Sequence, residues 1–233
     1  MEWRTATLDG VIRDADRLIV EIAELDAAAD AGEAFESRAY SDNLPPLSRR
    51  VPPGERATLT RILDDADMDD GDFTRTESWA AALQLGNAVR CSDSANGVDR
   101  ALARDVDDIR GLENFDMQFG MFDGLSDDAQ VELLLSIAEA GGCEETLDRA
   151  EAWLTGDLAT LMATLERGFR GNEELRNTLL VERNHWFADT LAIDHLEDPR
   201  RKILLAVGVG HLAGNDGVIA LLERHGYTIR RIQ

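Results

Sequence analysis

The stretch KILLAVGVGHLAGNDGVIALLERHGY, residues 202–227, decides the fold. Its opening apolar run predicts a β-strand over residues 202–207. After a glycine-rich turn, apolar positions at helical spacing predict a helix over residues 216–225, and a second strand is expected over residues 227–232. Strand, helix and strand joined by such short connections indicate a right-handed βαβ unit.

Two other segments are predicted to form strands. RLIVEI, residues 17–22, is a β-branched run that follows a short amphipathic turn at residues 8–14. DIRGLEN, residues 108–114, is a short apolar run that ends in a glutamate. Most of the remaining chain between residues 55 and 190 carries helical patterns, and one long helix is predicted over residues 172–193.

These patterns predict the fold class. We expect an α/β protein with a small central sheet from the N- and C-terminal segments and a large helical insertion. Residues 27–53 contain four of the five prolines and are expected to be an irregular crossing segment, with no new domain beginning there. Residues 1–233 are therefore predicted to form a single domain.

The charge of the chain limits its partners. A net charge of −22 and a pI near 4.4 argue against nucleic acid, because the chain has no dense footprint of basic residues to neutralise phosphates. No apolar segment approaches the length of a membrane span, and the N-terminus lacks the pattern of a signal peptide. As written, the chain is expected in the cytoplasm; a true N-terminus carrying a signal peptide would make it secreted or envelope-associated.

The acidic and cysteine residues give no strong metal-binding pattern. The acidic block DDADMDDGD, residues 64–72, lacks the ordered spacing of a calcium loop and is interpreted as a solvated turn. Cys91 and Cys143 form no CxxC motif, and the sequence leaves open whether they pair with each other. His225 precedes Gly226 at a predicted helix end, where a cation suits the helix dipole.

The glycine turn has three interpretations. The pattern Gly208-x-Gly210-x-x-Ala213 after a strand matches the loose dinucleotide fingerprint. The next predicted strand ends in RRIQ, residues 230–233, instead of an acidic residue, so a nicotinamide cofactor is not expected. His211 follows a strand, where α/β sheets collect functional groups, and is a candidate metal ligand or acid–base group. It could equally cap the strand, and the residues alone leave these two alternatives open.

Several motifs together resemble the TraB/GumN (Tiki-like) family. LLVERNHWFADTLA, residues 179–192, and the segment at residues 203–232 are similar to its C-terminal half. There the family has an Arg-Asn pair on a long helix, a strand ending in a G-x-x-H motif, and a helix closing on GY. ADRLIVEI, GVDRAL and GLENFDMQFGMFDGLS resemble its upstream segments in the same order, so the resemblance covers nearly the whole chain.

The resemblance implies both an activity and its residues. The active-site positions carried over are Glu21, Gly208 and His211, with Arg183, Asn184 and Glu113 as further candidates. Animal Tiki proteins are membrane proteases that require a divalent cation, and we expect this chain to be a bacterial relative. Glu21 and His211 would then hold Mn, Co or Zn, which activates water for attack on an amide of a peptide or protein substrate.

The chain departs from the family pattern near its N-terminus. The family carries a first G-x-x-H motif there, but Gly10-Val11-Ile12-Arg13 has arginine where the histidine belongs. One histidine and one glutamate fall short of the three protein ligands usual for a catalytic metal. The chain is thus expected to be shorter at its N-terminus than the family pattern, and two hypotheses follow. One is a metal-dependent, peptidase-like hydrolase whose site is incomplete in this chain. The other is a non-catalytic binding or interaction protein derived from that fold. The sequence alone leaves open whether the chain is an enzyme.

Overall fold

A parallel three-stranded sheet organises the N- and C-terminal parts of the chain. The computed structural model describes residues 3–24, 27–91, 97–140 and 143–232. Its strands are β1 (Arg17–Ile22), β2 (Ile109–Glu113) and β3 (Ile203–Ala206). Their order is β2-β1-β3, and β1 pairs in parallel with both neighbours. The predicted α/β class with a small sheet and a large helical insertion is confirmed.

The helices account for most of the remaining described chain. In chain order they are α1 (Ala6–Asp14), α2 (Ala28–Glu36), α3 (Leu47–Arg50), α4 (Arg56–Ala66), α5 (Ser78–Ala88), α6 (Val98–Leu102), α7 (Phe115–Asp123), α8 (Asp127–Glu139), α9 (Cys143–Thr155), α10 (Leu158–Gly168), α11 (Glu173–Arg176), α12 (Glu182–Glu197), α13 (Val209–Leu212) and α14 (Val218–Arg224). Short 3₁₀ turns lie at Pro53–Glu55 and Asp70–Phe73.

The chain divides into two compact units. The sheet unit consists of Met1–Ala28, Asp93–Asn114 and Leu180–Gln233, and the helical unit consists of Ala29–Ser92 and Phe115–Leu179. The chain therefore leaves the sheet unit twice to form the helical unit and returns to the sheet unit each time. The sheet unit contains all three strands, so it provides the edge at which a site is expected.

The centre of the sheet unit is β1, because this strand has a neighbour on each side. Leu18, Ile19 and Val20 are fully buried. Successive side chains of a strand point to opposite faces. Ile19 packs on one face with Phe187 of α12, whereas Leu18 and Val20 pack on the other face with Ile12 of α1. Apolar residues on both faces explain why the run LIV contains no polar side chain.

The predicted long helix over residues 172–193 is interrupted. Asn172 caps α11, since its side chain accepts a hydrogen bond from the Leu175 amide at 2.8 Å. Asn177–Val181 is a π-helical segment, and α12 begins directly after it. A π segment widens the helical repeat and so changes the face on which later residues lie. Arg183 and Asn184 are in the first turn after this change.

The helical unit has an aromatic cluster in its core. Trp79 is fully buried, and its ring lies 5.4 Å from that of Phe35 and 5.9 Å from that of Phe119. The Trp79 amide donates to the buried side chain of Gln130 at 3.2 Å. This unit is held mainly by helix packing, and none of the residues proposed from the sequence as site residues belongs to it.

Cys91 and Cys143 form a disulfide with a Cα–Cα distance of 5.3 Å. The bond joins the segment after α5 to the first residue of α9. The alternative that the sequence left open is therefore decided in favour of pairing.

Two predictions of secondary structure are wrong. Residues 227–232 do not form a strand. The helix α14 ends at Arg224, and the chain turns at Gly226, which has φ of +93°. Ile229 and Ile232 are 39% and 55% exposed, so their apolar pattern has no face to pack on. The βαβ unit expected at the C-terminus is therefore absent from the described chain. The segment over residues 27–53, expected to be irregular, contains α2 and α3.

Candidate functional site

Charged side chains meet at the C-terminal edge of the sheet. Glu21 is the penultimate residue of β1, Glu113 is the last residue of β2, and Gly208 follows β3 closely. In parallel sheets the carboxyl ends of adjacent strands and the loops after them form the usual binding crevice. The three strands therefore place two carboxylates and a backbone amide side by side.

Arg183 joins the two carboxylates. Its Nε and Nη2 atoms donate to Glu113 Oε1 and Oε2 at 2.6 and 2.9 Å. Nη2 also donates to Glu21 Oε2 at 2.6 Å. The Glu113 side chain is fully buried and that of Arg183 is 12% exposed. Removing a single member would leave a buried charge without its main partner, which is strongly destabilising.

Gly208 lets the backbone approach Glu21. Its amide donates to Glu21 Oε1 at 2.8 Å. A Cβ atom at this position would lie 3.3 Å from the same oxygen, so a side chain would press against the carboxylate. The predicted site position Gly208 therefore has a structural role, because the absence of a side chain allows its amide to donate a hydrogen bond to Glu21.

Asn184 sets the tautomer of His211. The Asn184 Nδ2 group donates to the carbonyl oxygen of Asp216 at 2.8 Å, which turns Oδ1 toward the imidazole. His211 Nδ1 lies 2.6 Å from Oδ1. A carbonyl oxygen only accepts hydrogen bonds, so Nδ1 carries the proton and Nε2 of the neutral ring keeps its lone pair. This assignment follows from the hydrogen-bond network.

The Nε2 lone pair faces a carboxylate. His211 Nε2 lies 3.8 Å from Glu21 Oε2, too far for a hydrogen bond. Burial, followed by the positive charge of Arg183, lowers the pKa of His211 to about 4, although Glu21 acts in the opposite direction. The ring is therefore neutral near pH 7, and two electron-pair donors stand opposite each other.

The surroundings also shift the pKa of Glu21 and Arg183. Burial raises the pKa of Glu21, but the Gly208 amide and the Arg183 charge outweigh it, and the net pKa lies below the ordinary value. Burial lowers the pKa of Arg183, but its hydrogen bonds to Glu113 and its attraction to both carboxylates raise the net pKa. Both groups are charged at neutral pH.

Phe187 and Asp99 were not predicted as site residues. The Phe187 ring lies 5.4 Å from the Arg183 guanidinium carbon and 5.0 Å from the His211 ring, so it backs both groups. Burial and repulsion from Glu21 raise the pKa of Asp99, which places a second partly buried carboxylate in the field of Glu21. Phe187 is four residues after Arg183 on the same helix, and this spacing could have indicated that the two side chains are neighbours. Asp99 is within the GVDRAL motif, which could have indicated it as a site residue.

Other candidate residues lie elsewhere. His225 Nε2 is 3.5 Å from Asp189. In the acidic block, Asp69 and Asp72 form a capping box at a 3₁₀ turn, and Asp70 accepts from the Ser48 amide. The arginine of the Gly10 to Arg13 segment is within α1. Among the residues that the structure describes, no group of three His, Cys, Asp or Glu side chains is placed to hold a metal ion.

The Glu21 and His211 pair fits part of a cation site. Ligand atoms about 2.0 to 2.2 Å from one ion are at most about 4.4 Å apart, and the observed 3.8 Å separation of Oε2 and Nε2 is within that limit. The neutral ring with its other nitrogen hydrogen-bonded is the form in which histidine binds metals. Two protein ligands suffice only if water or substrate oxygens fill the remaining positions, at least two where a typical catalytic zinc site leaves one open.

Comparison with known proteins identifies the family. The TraB/PrgY/gumN family model matches residues 1–231, so the chain belongs to this family. No curated protein and no solved structure matches it. Within the described ranges, every helix is too short or too polar to cross a membrane.

Proposed function

We propose that this chain is a metal-dependent hydrolase of the peptidase type, acting on a peptide or protein substrate. The observation that carries the proposal is the opposition of two electron-pair donors: His211 Nε2, unprotonated because the ring proton stays on Nδ1 and is donated to Asn184 Oδ1, and Glu21 Oε2, 3.8 Å away. A divalent cation such as Mn²⁺, Co²⁺ or Zn²⁺ would bind both atoms in place of the hydrogen bond that Oε2 accepts from Arg183 Nη2 at 2.6 Å. Their position at the C-terminal edge of a parallel sheet is where substrate would reach them.

Each residue has a distinct part in this proposal. Glu21 and His211 would hold the cation, and Asn184 keeps the imidazole in the required tautomer. A bound divalent cation supplies Lewis acidity and lowers the pKa of water. The Gly208 amide fixes one oxygen of Glu21, which leaves the other oxygen facing His211.

The experiment measures cation binding before activity. The full chain, freed of metal with a chelator, is titrated with Mn²⁺, Co²⁺ and Zn²⁺ by calorimetry, and the Co²⁺ form is followed by visible absorption. Peptide cleavage is then measured with each cation. His211→Gln should lose binding by about tenfold or more, in line with loss of a ligand. His195→Gln, outside the site, is the matched control.

Two results would contradict the proposed cation site. One is the lack of detectable binding for all three ions. The other is equal binding in the His211→Gln and His195→Gln variants, which would place the ion elsewhere. Cation binding without cleavage of any tested peptide would retain the site and reject the proposed reaction.

A second candidate function is a non-catalytic binding or interaction module of the same fold. The specific observation in its favour is that the described residues offer two cation ligands where a catalytic zinc usually has three. Under this proposal, Arg183, Glu21 and Glu113 are a structural charge cluster. Unchanged thermal stability of the chain on addition of each cation, together with absence of peptidase activity, would favour it over the hydrolase.

For the compartment, we propose an oxidising environment. The Cys91–Cys143 disulfide is the supporting observation, because such bonds persist mainly in exported proteins. This is the secreted or envelope-associated alternative to a cytoplasmic protein. Rapid alkylation of cells that produce the chain, followed by mass measurement, tests it; two alkylated cysteines would contradict the proposal.

A further inference from the structure

Arg183 contacts its two carboxylate partners unequally. It donates two hydrogen bonds to Glu113, through Nε and Nη2, in the paired geometry typical of strong arginine–carboxylate contacts. It donates one to Glu21, through the Nη2 atom that Glu113 also uses. Glu113 is therefore the anchor of the guanidinium, and Glu21 is the weaker attachment.

Glu21 can lose Arg183 without becoming isolated. Its Oε1 atom accepts from the Gly208 amide at 2.8 Å, and only Oε2 takes the arginine. The Glu21 side chain is 24% exposed, whereas that of Glu113 is fully buried. Breaking the Glu21 contact thus leaves Arg183 on Glu113 and Glu21 on the backbone, with no buried charge abandoned.

The same oxygen is the one that faces His211. Glu21 Oε2 lies 2.6 Å from Arg183 Nη2 and 3.8 Å from His211 Nε2. A cation held by Oε2 and Nε2 would stand within a few ångströms of a guanidinium group, and like charges at that distance repel strongly in a partly buried site. Arg183 and the cation therefore compete for one atom.

We propose that Arg183 is an exchangeable counter-ion: it neutralises Glu21 in the cation-free protein and releases Oε2, while staying on Glu113, when a divalent cation binds. This inference rests on the proposed cation site. It makes Arg183 a positioning residue that sets the affinity of the site, and it makes Glu113 the residue that holds Arg183 back from Glu21.

The test compares the Co²⁺ affinities of variants for which the inference predicts changes of opposite sign. The full chain and its Arg183→Gln, Arg183→Lys and Glu113→Gln variants are titrated with Co²⁺ by calorimetry, without substrate. Removing the competing charge in Arg183→Gln should tighten binding about tenfold, a modest figure for one like charge nearby at an effective dielectric constant of about 20. Arg183→Lys, which keeps the charge, should stay within about threefold of the unaltered chain.

Glu113→Gln should weaken Co²⁺ binding, because a less firmly anchored Arg183 pairs more strongly with Glu21. A general loss of structure would weaken both Arg183→Gln and Glu113→Gln, so opposite signs identify exchange. Equal or weaker binding by an Arg183→Gln variant that urea unfolding shows to be folded, with binding by the unaltered chain intact, overturns this inference and leaves the proposed function standing; if this variant is unfolded, binding weaker by more than about tenfold in Arg183→Lys or unchanged binding in Glu113→Gln overturns it instead. Lack of Co²⁺ binding in every variant overturns both.

Discussion

Acidification should destabilise the protein through His211. The buried imidazole beside Arg183 has its pKa lowered to about 4, whereas a histidine in the unfolded chain has a pKa of about 6.5. Between these two values the unfolded chain binds a proton that the folded chain does not. The contribution of His211 is therefore fully present above about pH 6.5 and is lost progressively as the pH falls toward about 4.

The size of this effect follows from the shift. Each pH unit over which the two states differ by one proton changes the free energy of unfolding by about 1.4 kcal/mol, so the full window corresponds to on the order of 3 kcal/mol. The His211 side chain is 8% exposed, so solvent screening reduces this little. The pKa of Glu21 is also lowered, so its contribution too is lost in acid.

The assay is urea unfolding at half-unit steps from pH 7.5 to 4.5, at constant salt, in the unaltered chain, His211→Gln and His195→Gln. Other carboxylates titrate in the same range, so the informative quantity is the difference in unfolding free energy between variants. The stability advantage of the unaltered chain over His211→Gln should shrink by about 2 to 3 kcal/mol across the window. His195→Gln is the control for replacing a histidine by glutamine outside the site. A difference between the unaltered chain and His211→Gln that stays constant with pH would refute the argument.

Three further outcomes are expected. Gly217→Ala should lower the free energy of unfolding by about 2 kcal/mol or more, because the new Cβ would lie 2.5 Å from the Ala213 carbonyl oxygen, whereas Gly10→Ala, with nothing within 4 Å in a helix, should raise it by about 0.5 to 1 kcal/mol in the same urea assay. Reducing the Cys91–Cys143 bond, which closes a separation of 52 residues, should cost about 3 to 4 kcal/mol in the chain-entropy estimate; equal urea midpoints with and without reductant would contradict this. Raising the KCl concentration from about 0.1 M to about 1 M should raise the thermal unfolding midpoint. The acidic side chains behind the net charge of −22 repel one another, and the Debye length falls from about 10 to about 3 Å over this range. A lower midpoint by calorimetry at high salt would show that this repulsion does not limit stability.

The strands could be predicted because their signals are local. The run LIV in β1 is buried on both faces and therefore lacks alternation, and its short length separates it from a helix. The cap at Asn172 could also be recognised, since an asparagine before an acidic first turn is a helix start. The π segment at Asn177–Val181 has no comparable sequence signal, so the helix through it was predicted as continuous.

The C-terminal strand was mispredicted because a strand needs a partner as well as a pattern. Residues 227–230 alternate apolar and polar side chains, but α14 ends and the described chain beyond it stays outside the sheet. The central strand takes β2 and β3 as its two neighbours instead. Which segments pair is decided by packing across the whole chain, and periodicity within one segment contains no such information.

The candidate site was only partly predictable. Glu21, Gly208 and His211 were named from a family resemblance, and the structure brings them together with Arg183, Asn184 and Glu113. Their pairing depends on contacts between residues 162 and 187 positions apart. The histidine tautomer depends on one backbone carbonyl, that of Asp216. Neither fact is encoded in local spacing.

The ion pair between Glu113 and Arg183 also has a consequence for the order of folding. The two residues are 70 positions apart, and almost all of the chain between them, Phe115–Leu179, belongs to the helical unit. Closing a flexible loop of that length costs roughly 4 kcal/mol in chain entropy, so the pair gains little until the intervening helices have shortened the path. The charge cluster should therefore assemble only after the intervening helices, as should the parallel strand pairs, whose partners are also separated by the helical unit; nascent or nicked chains with an unfolded insertion should lack the cluster.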